Sequence, residues 1–115
     1  MAKSHKPIVW GPFAAGGTFS ALVTPVLIVI TGLAMPLGLL PADVLSYDRA
    51  LAFAGSGLGK LILFVFVALP AWHAAHRARI TVHDFGVRAD IPVAVAVYAL
   101  AALATVATAV ALVKI

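Results

Sequence analysis

Three stretches of the chain carry almost no polar side chains, and the charged residues fall between and beyond them. Residues 17–40 contain no charge, residues 61–69 contain no polar side chain at all, and residues 91–113 are again uncharged. A hydrocarbon core about 30 Å thick needs roughly 20 apolar residues per helix at 1.5 Å of rise each. The pattern therefore predicts an all-α integral membrane protein of one domain, with three transmembrane helices at about 17–40, 58–78 and 92–113. Residues 1–16 form a lead-in in which Pro7 and Pro12 resist regular helix. There Ile8, Val9, Trp10 and Phe13 suit the headgroup region, so this segment is expected to lie along the interface.

Within the first span, Pro25 and Pro36 each remove a backbone donor, which predicts a kink near 21–24 and an irregular exit around 35–41. Residues 41–57 have the composition of an exposed connection, with a short helical turn on the surface at 46–53. Pro70 interrupts the second span, whose last turns become aromatic and cationic. A connection over 80–90 then leads to Pro92, a residue suited to the first turn of the third span.

Composition agrees with this partition. The 115 residues are 63% hydrophobic and 10% charged, with a mean hydropathy of +1.12, too apolar for a soluble domain of this size. Three spans nearly exhaust the length, so no room is left for a separate catalytic domain, and no residue is assigned a catalytic role of its own. The first hydrophobic segment is too long, and begins too late, for a cleaved secretory signal, and is expected to be retained. The net charge of +4 does not point to nucleic acid. Lys3, Lys6, Arg49, Lys60, Arg77, Arg79, Arg88 and Lys114 are scattered around apolar runs, where they set topology. Lys3 and Lys6 precede the first span, and Arg77, Arg79 and Arg88 lie between the second and third, so the N-terminus is predicted cytoplasmic and the C-terminus outside. Cysteine is absent, which excludes disulfides and any thiolate-ligated cluster built by this chain alone, and no metal site is expected. Glutamate is absent too, and Asp43, Asp48, Asp84 and Asp90 all fall outside the expected hydrocarbon segments.

The residues able to carry chemistry gather at the end of the second span: Trp72, His73, His76, Arg77, Arg79, His83 and Asp84. On a helix Trp72, His76 and Arg79 share one stripe, joined by His83 only if the helix continues, while His73 sits beside Arg77. A cationic, hydrogen-bonding patch at a membrane surface suits a quinone head group, whose carbonyls need donors and whose reduced form must lose protons. The plainer alternative is that Arg77 and Arg79 snorkel while Trp72 and His76 anchor the interface. Trp10 admits the same two readings, quinone donor or aromatic-belt anchor. Membrane histidines also raise haem b ligation, but His73 would lie only about 6 Å inside the span by helical rise, and no deeper histidine exists. The glycine-rich run at 11–17 lacks the lysine and hydroxyl of a phosphate loop.

Several ordered motifs resemble the D-subunit family of fumarate reductase over nearly the whole chain. Val9, Trp10, Gly11, Phe13, Ala15, Gly16 and Gly17 resemble its entry motif, with Ala21, Pro25 and Val26 following. Met35 to Leu39 resembles its exit from the first span, and Asp43, Leu45, Ser46, Tyr47, Asp48, Arg49, Leu51, Ala52 and Phe53 its extracytoplasmic connection. Leu69, Pro70, Trp72, His76, Arg77, His83 and Asp84 resemble the end of its second span. The resemblance implies a bacterial inner-membrane anchor that, with a second three-helix anchor (the C-subunit), docks a flavoprotein and an iron-sulfur protein on the cytoplasmic face. Electrons would pass from menaquinol to iron-sulfur clusters and FAD in those partners, reducing fumarate in anaerobic respiration. It further implies a quinone site that includes Trp10, His76 and Arg77; a proton path through His73, His83 and Asp84 is expected from the chemistry of those side chains at the same end of the span. This chain alone would bind no cofactor, and haem is not implied. His73 and the stretch 79–82 depart from the family pattern. The competing readings are a haem b anchor of succinate dehydrogenase, which shares the catalytic half, and a purely structural or transporter-associated membrane protein.

Overall fold

The computed structural model describes residues 6–115; Lys3 and the rest of residues 1–5 lie outside it. The described chain is helical, with α1 over Lys6–Val29, α2 over Tyr47–Gly55, α3 over Gly57–Asp84 and α4 over Asp90–Lys114. Three helical stretches, Trp10–Ala34, Gly57–Asp84 and Asp90–Lys114, are long and apolar enough to cross a membrane. The 28 residues of α3 rise about 42 Å, roughly 12 Å more than a hydrocarbon core needs, so its polar C-terminal turns extend beyond the apolar layer.

Two helix boundaries differ from the sequence expectation. Residues 7–16 are not an irregular lead-in: α1 begins at Lys6 and runs through Pro7 and Pro12 into the first span. Pro7 sits in the first turn, where backbone N–H groups have no intrahelical acceptor in any case, and Pro12 forfeits only the bond to the Ile8 carbonyl. Likewise 80–84 is not connection, because α3 continues six residues past Ala78 to Asp84. Polar side chains are no obstacle to helix once the chain has left the hydrocarbon.

The helix ends have local causes. Past Pro25 the helix continues without interruption, and its irregularity appears as a π turn over Ile30–Ala34 just before Pro36. Pro36 has no N–H to offer the preceding turn and crowds it, so the turn widens: Met35 N–H donates to the Ile30 carbonyl at 3.0 Å. The chain then leaves through Gly38 at φ +69°, with Gly38 N–H donating to Met35 and Leu39 N–H to Ala34. The same paired pattern closes α3 at Gly86, φ +88°, where Gly86 N–H meets His83 and Val87 N–H meets Val82. Both ends need a left-handed residue that only glycine adopts without strain. Ser46 caps α2, as expected of a short surface helix, and Ser56 caps α3 by accepting from Gly59 N–H at 3.0 Å while donating to the Phe53 carbonyl at 2.7 Å.

Helix α3 is central, packed against both α1 and α4. Small residues permit this: Gly16 is buried against the backbone of α3 at Leu69, and Ala68, Ala75 and Ala101 are among the few buried apolar side chains. Ser20, Thr31, Thr105 and Thr108 return their hydroxyls to carbonyls one turn back, which satisfies them inside apolar helices. Most large apolar side chains face outward, as they do where lipid or a partner takes the place of water.

Candidate functional site

Three polar bridges tie α3 to α4, and they begin with the stripe that helical spacing defines. Trp72 Nε1–H donates to Thr105 Oγ1 at 3.1 Å, His76 Nδ1 lies 2.7 Å from the Tyr98 hydroxyl, and Arg79 grips Asp90 through Nε at 2.8 Å and through Nη2. As the positions rise along α3 they fall along α4, the register of an antiparallel pair. Tyr98 also stacks on Trp72, with ring centroids 6.1 Å apart and planes tilted by 24°.

From α1, Trp10 and Phe13 close over His76. The Trp10 ring meets His76 edge to face at 5.2 Å, Phe13 meets it at 4.6 Å, and the two aromatic rings meet each other at 5.4 Å. Phe13 is held in turn by His73, whose ring stacks on it at 4.6 Å and whose Nδ1 lies 3.0 Å from the Phe13 carbonyl oxygen. A carbonyl only accepts, so Nδ1 of His73 carries the proton. His73 thereby becomes an interhelical tie between α1 and α3, and Gly17 leaves the space its ring occupies.

The rings of α1, α3 and α4 border a half-open cavity of about 460 Å³ lined by Ile8, Trp10, Pro12, Phe13, Trp72, His76 and Tyr98. Its wall is almost wholly apolar, with the indole, imidazole and phenol as its hydrogen-bonding groups, which is the usual make-up of a site for a flat organic ring. A second cavity, about 450 Å³, adjoins the same Trp10–His76 wall and is lined otherwise by Arg79, Ile80, His83 and Asp90. His76 is half-buried between them, and its Nε2 is buried without a hydrogen-bond partner among the described residues. The protein itself seals that nitrogen from both cavities.

The sequence-predicted residues divide accordingly. Trp10 and His76 are brought together on the apolar cavity. Arg77 is exposed and lines neither cavity. His83 lines the polar cavity, where its Nε2 accepts from Arg88 Nη1–H at 3.4 Å, while Asp84 is exposed at the end of α3. The sequence reading missed Tyr98, the stacking role of Phe13 and the Arg79–Asp90 pair. Tyr98 did leave a signal: it is the only aromatic residue between Ile91 and Ile115, a hydroxyl on a ring in a helix otherwise built of alanine, valine and leucine.

Comparison with known proteins adds the family. Residues 1–113 match the family model that describes the D-subunit of fumarate reductase. Relatives that carry the same name, fumarate reductase D-subunit, include one from Vibrio vulnificus, 41% identical over 101 residues that cover 88% of this chain and 81% of the relative. Another from Vibrio parahaemolyticus is 43% identical over 103 residues, covering 90% and 82%. A third, from Photobacterium profundum, is 43% identical over 101 residues, covering 88% and 84%.

Proposed function

The chain belongs to the D-subunit family of fumarate reductase, which makes it a membrane-anchor component of a fumarate reductase complex, and from that premise we propose that it supplies one wall of a menaquinol-oxidising site. The observation that carries this reading is the apolar cavity walled by Trp10, Phe13, His76 and Tyr98, whose polar groups are an indole, an imidazole and a phenol. A quinone ring fits between aromatic walls, its carbonyl oxygens accept from N–H or O–H donors, and its isoprenoid tail prefers the apolar flank of the helices. Trp10 and His76 serve the head group directly. Arg77, exposed on α3, reaches the part of the site completed by neighbouring subunits, where a guanidinium polarises a carbonyl.

On this reading the N-terminus and the α3–α4 connection face the cytoplasm across the bacterial inner membrane. There the anchor docks, beside the C-subunit, against the iron-sulfur and flavoprotein subunits, whose clusters and FAD carry electrons to fumarate in anaerobic respiration. The polar turns of α3 beyond the hydrocarbon form the docking end.

His76→Ala and Arg77→Ala test the proposal in the assembled complex. Each is expected to lower quinol-driven fumarate reduction at least tenfold, the scale of losing one positioned hydrogen-bonding or charged group, while fumarate reduction from an artificial electron donor persists. Equal loss of both activities reports failed assembly, and unchanged quinol turnover in both variants overturns the proposal.

A further inference from the structure

We propose that Tyr98 donates a hydrogen bond to a quinone oxygen in the apolar cavity, and that His76 positions it by donating in turn to the Tyr98 oxygen. This deepens the quinone-site reading and rests on it. The direction of the His76–Tyr98 bond follows from burial. Nε2 of His76 is buried without a partner among the described residues. A neutral imidazole carries one proton, which at Nε2 would make a buried N–H with no acceptor, and orphaned donors are rarer than idle acceptors in protein interiors. The proton therefore sits on Nδ1, and Nδ1–H donates to the Tyr98 oxygen at 2.7 Å. The Arg79 guanidinium, which only donates, stands close to the same oxygen. With its oxygen serving as acceptor, the phenol keeps its own O–H to give, and no acceptor among the described residues takes it. Tyr98 lines the apolar cavity, so the O–H is available there.

The other polar groups of the cavity are accounted for. Trp72 Nε1–H is given to Thr105, and His76 meets a ligand as a ring wall, with one nitrogen engaged by Tyr98 and the other sealed. That leaves the Trp10 indole from α1 and the Tyr98 phenol from α4 as the donors open to a ligand among the residues that line the cavity. A quinone presents a carbonyl oxygen with lone pairs at each end of its ring, and a hydroquinone keeps lone pairs on the same oxygens. One O–H donor therefore serves substrate and product alike, and a flat ring without an acceptor oxygen gains nothing from it. The donor is also set before a ligand arrives: the Tyr98 ring stacks on Trp72 at 6.1 Å between centroids, and His76 fixes its oxygen.

The experiment uses the whole complex loaded with menaquinone isotopically labelled at its carbonyl carbons and read by infrared difference spectroscopy. Tyr98→Phe keeps the ring stacked on Trp72 and removes only the hydroxyl. One labelled carbonyl band is expected to rise toward the frequency of free quinone, since a hydrogen bond weakens the C=O stretch. The KM for quinol is expected to rise roughly three- to tenfold, the scale of one neutral hydrogen bond, with the artificial-donor rate unaltered. If phenylalanine disturbs assembly, Tyr98→3-fluorotyrosine retains ring and hydroxyl while making the O–H a stronger donor, so the same band is expected to fall. Carbonyl bands that do not move in the assembled variant overturn the inference. Trp10→Phe, measured in parallel, separates it from the site. Bands moved by Trp10→Phe and not by Tyr98→Phe sink the role of Tyr98 and leave the quinone site standing. Bands moved by neither put the quinone elsewhere in the complex and sink both.

Discussion

Replacing Gly16 by alanine adds one methyl group where α1 presses on the backbone of α3. The new Cβ would fall against the Leu69 carbonyl oxygen, with the Leu69 carbonyl carbon at 2.9 Å and His73 Cβ at 3.0 Å. Ordinary contacts begin near 3.4 Å and the Leu69 oxygen is the nearest of the three atoms, so the helices must part by about 1 Å, and the obstacle is backbone rather than a flexible side-chain end. Parting them stretches the 3.0 Å contact between His73 Nδ1 and the Phe13 carbonyl and loosens the Phe13 stack on His73. Overpacking of this kind costs about 1–3 kcal/mol. Alanine recovers about 0.5–1 kcal/mol of helix propensity. The net expectation is destabilisation by about 1–2 kcal/mol. Gly11→Ala is the control: it lies on the same helix with nothing within 4 Å of an added Cβ, so only the propensity gain remains and the sign reverses. Thermal release of this chain from the detergent-solubilised complex reads both variants. If Gly16→Ala holds as firmly as Gly11→Ala, the close approach of α1 to α3 is not what seats Trp10 and Phe13 over His76.

The bridge between Trp72 and Thr105 should show a coupling of about 0.6 kcal/mol, and no more than roughly 1.7, in a double-mutant cycle of Trp72→Phe and Thr105→Val read by the same thermal release; a cycle that closes to zero would show the contact is idle. The Arg79–Asp90 pair is partly open to solvent, with side-chain exposures of 34% and 45%, so Asp90→Asn is expected to shift thermal release only slightly, and less at high salt. A large loss that salt does not diminish would mean the pair is buried by a neighbouring protein of the complex.

Much of this architecture was legible because a membrane imposes a coarse rule. Twenty apolar residues without charge can hardly be anything but a span, and the 3.6-residue period alone puts Trp72, His76 and Arg79 on one stripe. The partners of that stripe were not legible. Nothing in an alanine- and valine-rich helix fixes its register against a neighbour, so the pairing with Thr105, Tyr98 and Asp90 emerges only from three-dimensional packing. Pro7 and Pro12 misled for a different reason. A proline in the first turn loses nothing, and one lost bond farther along is tolerated, so their presence did not break α1. The extension of α3 to Asp84 was hidden by polarity that looked like a loop, although Gly86 marked the true end. His73 stood out by its chemistry, and its part in the fold is that of a tie to the Phe13 carbonyl, visible only once α1 lies against α3.

The central claim, that this chain walls a quinone site with Trp10 and His76, is tested most directly by photolabelling the intact complex with an azido-quinone and mapping the modified peptides. Labelling within residues 8–13 or 72–76 of this chain, suppressed by excess menaquinol analogue, is the predicted result. Specific labelling confined to the other proteins of the complex, with none in these two segments, would contradict it.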